Sequence, residues 1–168
     1  MPPISLPVTL PARTSLNSAL GLAGFVVLCF SAAAFGSQFM PGEWFAGLKK
    51  PSWNPPNWIF GPVWSALYTM MALAAWLVWR RGGFKLNQFP LSLFLTQLFL
   101  NTLWSWLFFG LKNPALAFVE ILLLWIAICG TIVAFWPKPR AAAWLLVPYL
   151  AWVSFAAVLN FALWQLNR

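Results

Sequence analysis

The chain has 168 residues, of which 62% are apolar, 18% aromatic and only 7% charged. Soluble domains average roughly 45–50% apolar and about 25% charged residues, so a water-soluble globule is excluded. A disordered chain is excluded too, as is a disulfide-stapled secreted module, since there are two cysteines. The net charge of +8 comes from ten Lys and Arg spread over tails and links. That is the pattern of helix ends near anionic headgroups, not of a clustered nucleic-acid face, and no nucleic-acid partner is expected.

At about 20 apolar residues per crossing, the composition provides for five spans and little else. The predicted fold is an all-α integral membrane protein, a bundle of five transmembrane helices in a lipid bilayer. Residues 1–14 hold four prolines and read as a disordered tail. Uncharged windows then run over 14–42, 51–79, 86–111 and 141–167, and a fifth, 113–137, contains only Glu120. Breakers lie between them at Pro41-Gly42, Pro51 with Pro55-Pro56, Gly82-Gly83, Asn113-Pro114, and Pro137 with Pro139. Helices are predicted near 16–39, 58–80, 88–109, 114–136 and 141–165. The first has a competing reading as a signal peptide, from Arg13, the apolar run from Ala19 and Ala32-Ala33-Ala34. Its apolar stretch is span-length, beyond the 7–15 residues of a signal core. The first link, 40–57, is long and rich in Trp and Pro, so it is more than a spacer. Six basic residues (Arg13, Arg80, Arg81, Lys85, Lys138 and Arg140) fall on one side of such a bundle and four on the other. The expected setting is a bacterial cell membrane with the N-terminus cytoplasmic.

There is no histidine, and Glu43 and Glu120 are the only acids. A metal site, a paired-carboxylate hydrolase and a proton-relay chain are therefore not expected. Cys29 and Cys129 stand alone in apolar runs and read as inert thiols. Glu120 has two readings. An ionisable group about six residues into a span is a functional candidate. The favoured reading sets it near the headgroups, where the helix dipole, and pairing with Lys112, would hold a carboxylate.

Three spans carry a mixed polar and aromatic stripe. Gln97, Asn101, Trp104 and Phe108 are spaced i, i+4, i+7, i+11 and fall within about 60° of one another on one helix face. Tyr149, Val153, Ala156 and Asn160 repeat the spacing, as do Trp64, Tyr68, Met71 and Ala75. Amides cannot face hydrocarbon unpaired, so these faces should point inward. Either the amides are interhelical glue, or the stripes wall a cavity for a flat apolar ligand. Thirteen tryptophans exceed what interfacial belts need, and Trp64, Trp104, Trp125 and Trp152 lie well inside their spans.

The run Lys50-Pro51-Ser52-Trp53-Asn54-Pro55-Pro56-Asn57-Trp58, continuing Ile59-Phe60-Gly61-Pro62-Val63-Trp64, closely resembles the signature of the translocator protein family. That family is also called the tryptophan-rich sensory proteins or peripheral-type benzodiazepine receptors. Gln97 to Ser105 is similar to its third-helix motif, and Pro148 to Ala156 with Leu159-Asn160 to its fifth. The resemblance implies a five-helix bundle that binds porphyrins such as protoporphyrin IX and haem as ligands, with no cofactor required. In some members sterols and benzodiazepine-type ligands bind too. By motif, the lining would include Trp64, Tyr68, Asn101, Trp104, Trp152 and Ala156, with Phe45 as a lid residue.

Two departures stand out. The sterol motif needs a Tyr with a basic residue close behind, but Phe161 and the distant Arg168 stand there. No dedicated sterol site is expected. The small-residue pair of the third helix appears only as Ser92-xxx-Thr96, which weakens a homodimer through that helix. The function implied is sensing, scavenging or transport of porphyrins. The alternatives are light- and oxygen-dependent porphyrin degradation, with Trp64 or Trp152 as radical partner, and a structural membrane role without a ligand.

Overall fold

The computed structural model describes residues 15–39 and 42–168. The tail expectation for 1–14, with Arg13, lies outside the described residues. Helix α1 spans Ser15–Ser37, and a short α2, Glu43–Gly47, sits within the first link. A 3₁₀ turn at Asn57–Ile59 leads into α3, Phe60–Trp79. The short α4, Gly83–Leu86, precedes α5, Gln88–Ser105, which runs on into a π-helical turn at Trp106–Gly110. Then come α6, Pro114–Phe135, the short α7, Arg140–Trp144, and α8, Val147–Leu166. Five stretches are long and apolar enough to cross a membrane: Leu16–Ser37, Asn57–Trp79, Gln88–Gly110, Pro114–Phe135 and Arg140–Leu166. Their ends fall within two residues of the sequence-predicted helices.

Local chemistry explains the boundaries. Asn113 caps α6, its Oδ1 accepting the Leu116 N–H at 3.0 Å, and Pro114 takes the first helical position. The fifth span is broken because Pro148 has no N–H to give the carbonyl of Trp144, and its ring crowds that turn. Leu146 bonds back to Ala143 at 3.0 Å, a tighter turn, before α8 begins. Gly82, the N-cap of α4, and Gly83, its first residue, take φ of 137° and 67°, a turn that side-chain-bearing residues enter with strain.

Helix α1 packs on α3 and α5, α5 on α6, α6 on α8, and α3 on α7. Around the bundle the spans therefore run first, second, fifth, fourth, third. With little hydrophobic drive between helices in lipid, close approach depends on small residues. Ala72, Ala74 and Ala75 on α3 and Ala142 and Ala143 on α7 are fully buried, which brings α3 and α7 together at one end. Gly21 on α1 lies against the ring of Trp79 with no room for a Cβ. At the other end α3 and α8 are wedged apart by aromatic rings, Phe60 against Trp152 at 5.8 Å and Trp64 against Tyr149 at 6.3 Å. The first span is built into the bundle through Phe25 and Cys29.

Candidate functional site

Beneath the first link lies a cavity of about 40 Å³. Its walls are Phe60 on α3, Trp104 on α5, Phe108 and Phe109 in the π-turn, and Trp152, Phe155, Ala156, Leu159, Asn160 and Leu163 on α8. Phe45 of α2 closes the top. Its ring packs edge-on against Phe108 at 6.2 Å and Phe109 at 5.5 Å, and Trp44 does the same to Phe108 at 5.8 Å. The π-turn matters here. Leu111 N–H bonds to Trp106 C=O at 2.8 Å, and the extra residue in that turn lets the adjacent Phe108 and Phe109 both reach the cavity.

The walls are flat and held in place. The Trp104 ring stacks on Phe108 at 5.1 Å with 24° between planes. Its Nε1–H donates to Asn160 Oδ1 at 3.0 Å, and Asn160 Nδ2 donates to the Pro114 carbonyl at 2.8 Å. Asn160 thus has both ends of its amide occupied. Trp152 lies against Phe60 and Phe155. Its indole N–H has no acceptor among the described residues, which leaves it available to a ligand.

Of the sequence-predicted residues, Phe45, Trp104, Trp152 and Ala156 meet around this cavity. Trp64, Tyr68 and Asn101 do not line it. They form a layer within the bundle, where Tyr68 O–H donates to Asn101 Oδ1 and Asn101 Nδ2 donates to the Tyr149 hydroxyl at 3.2 Å. One amide therefore ties α3, α5 and α8 together, as interhelical glue does. The Trp64 ring covers this layer, 5.5 Å from Tyr68. Phe60, Phe109, Phe155, Leu159 and Leu163 were not among the predicted lining residues. On α8 the signal was present, since 152, 155, 156, 159 and 163 share one helical stripe beside the polar one.

Two sequence readings need correction. Gln97 is buried, but neither amide atom has a hydrogen-bond partner, so it is not glue. Glu120 is buried as well, and neither carboxyl oxygen has a partner, Lys112 included. Trp125 lies midway along its span, as expected, and faces outward, 39% exposed, with its N–H on Ser154 Oγ at 2.9 Å. The stripes themselves do face in: Gln97, Asn101, Phe108, Tyr149, Val153, Asn160, Tyr68, Met71 and Ala75 are all buried. Cys29 and Cys129 are free thiols. No cluster of metal-ligating side chains occurs among the described residues.

The model of the TspO/MBR family matches residues 25–165. The chain is 43% identical over 150 residues to the translocator protein of Homo sapiens, covering 86% of this chain and 89% of that one. It is 46% identical over 153 residues to the tryptophan-rich protein TspO of Chlorobaculum tepidum, covering 88% and 96%. Against the tryptophan-rich sensory protein of Cereibacter sphaeroides the identity is 38% over 143 residues, covering 85% and 89%. The chain belongs to the TspO/MBR family. It is an integral membrane protein, and the matched stretch holds every residue that lines the cavity.

Proposed function

We propose that this TspO/MBR protein binds flat tetrapyrroles, protoporphyrin IX and haem, in the cavity beneath the first link, and acts as a sensor, scavenger or transporter of them. The observation that carries this reading is the wall chemistry. Parallel and edge-on aromatic rings from α3, α5, α8 and the π-turn converge on one space with a single amide among them. Such walls suit a flat apolar ring better than a polar solute. Translocation and sensing also stand in the names of its relatives. Benzodiazepine-type ligands, smaller and aromatic, suit the same walls. For a second copy of the chain, the edge offered is Ser92 and Thr96 on α5, both exposed.

Exposed Lys49 and Lys112 stand at the same end as the cavity and would pair the propionates. Lys50 is engaged elsewhere, its Nζ donating to the carbonyls of Ala46 at 3.0 Å and Leu48 at 3.3 Å. With no histidine in the chain, ring and carboxylates carry the affinity rather than axial ligation. The test is a titration of the purified protein with protoporphyrin IX and with its iron complex, read by tryptophan emission. Saturable quenching near one ring per chain is expected, with the two affinities within about tenfold of each other. Unchanged emission would overturn the reading. An iron preference of about a hundredfold, roughly 2.7 kcal/mol, would mean that axial ligation holds the ligand instead.

A further inference from the structure

A cavity of about 40 Å³ is far below the roughly 300–1,000 Å³ of pockets that hold drug-sized ligands. A flat ring enters only when a wall moves. Three sides are long helices, α3, α5 and α8, with the π-turn continuing α5. The remaining side is the first link, whose five-residue α2 is seated mainly by Phe45.

That link is tied to the far end of the chain at one residue. Asn167, the C-cap of α8, accepts the Lys49 backbone N–H on Oδ1 at 2.9 Å. Its Nδ2 donates to the Lys49 carbonyl at 2.9 Å and to the Leu163 carbonyl of its own helix at 2.8 Å. One side-chain amide thereby makes the two-way pairing that a neighbouring strand would make with Lys49, across 118 positions of sequence. Lys50 braces the same segment. Its ammonium holds the Ala46 and Leu48 carbonyls and sits 4.8 Å from the Phe45 ring centroid. The plug, the short helix and Lys49 are thus coupled, and Asn167 fastens the assembly to α8.

We infer that Asn167 is a latch, a positioning residue that holds the first link shut over the cavity and sets the rate at which a tetrapyrrole enters. The inference rests on the tetrapyrrole reading of the cavity. Asn167 lies two residues beyond the stretch that the family model matches.

If only the unlatched fraction admits ligand, the apparent affinity is lowered by that fraction. A bound ring displaces the link, so the latch is already broken in the complex. Asn167→Ala is therefore expected to speed association of protoporphyrin IX about tenfold, leave dissociation unchanged and tighten binding by the same factor. Asn167→Asp keeps the acceptor for the Lys49 N–H but loses the donor, and should give about threefold.

The experiment is stopped-flow quenching with protoporphyrin IX on the full chain in lipid nanodiscs, together with hydrogen exchange at the Lys49 amide without ligand. Faster exchange and faster association in Asn167→Ala are expected. Unchanged exchange at Lys49 would overturn the latch. Faster exchange with wild-type association would overturn its control of entry, as would a lower melting temperature with weaker binding and no gain in association. A wild-type protein that never quenches with porphyrin overturns the tetrapyrrole reading instead, and the exchange measurement still decides the latch.

Discussion

Ala156 is the residue at which the site is most easily filled. It is half-buried on α8 and lines the cavity between Trp152 and Leu159. A leucine there would occupy space that a flat ring needs, so Ala156→Leu should weaken protoporphyrin binding by about 1–3 kcal/mol. Its melting temperature should stay close to wild type, because leucine is a good helix former. Lost stability at unchanged affinity would show that Ala156 only packs. Gln97 presents the opposite case. Both of its amide atoms are buried without partners, a burden of about 1–3 kcal/mol for such groups. Gln97→Leu, similar in size, should raise the thermal midpoint of the membrane-embedded protein. A lower midpoint would mean that the amide is bonded in the bilayer.

The end of the third span is the element whose geometry the sequence pattern least disclosed. A strict 3.6-residue period carries Phe108 inward but sends Phe109 to another face, whereas the π-turn at Trp106–Gly110 admits both. Nothing in the local residue types announces that extra residue. The turn closes with Asn113 N–H on Leu107 C=O at 3.2 Å and with Lys112 at φ 51°, a left-handed conformation that glycine adopts without strain. Lys112→Gly should therefore stabilise the bundle by about 1 kcal/mol, measured by thermal unfolding. A destabilised variant would show that the Lys112 side chain holds the turn. The long helices, by contrast, were legible almost to the residue. Charge-free windows fix spans and prolines fix ends, and both signals are local. The break at Leu145–Leu146 interrupts the single helix expected over 141–165, and its cause is Pro148, which denies Trp144 its hydrogen bond.

At the scale of the molecule, five spans close into a ring that is tight where alanines meet and propped open where aromatic rings meet. The sequence disclosed which faces turn inward, because amides at helical spacing must avoid lipid. It did not disclose depth. Asn101 shares a stripe with the lining Trp104 and Phe108, yet it is spent on Tyr68 and Tyr149, a pairing between helices that no single-helix period contains. Nor did the Trp and Pro content of the first link indicate that Asn167 would fasten it. The central claim is that a flat tetrapyrrole occupies the space beneath that link. The most direct test is an experimental structure of the protein with protoporphyrin IX bound. The account predicts the ring against Trp104, Trp152 and Ala156, with Phe45 displaced from Phe108 and Phe109. A ring bound on the lipid-facing surface, with Phe45 still seated, would contradict it.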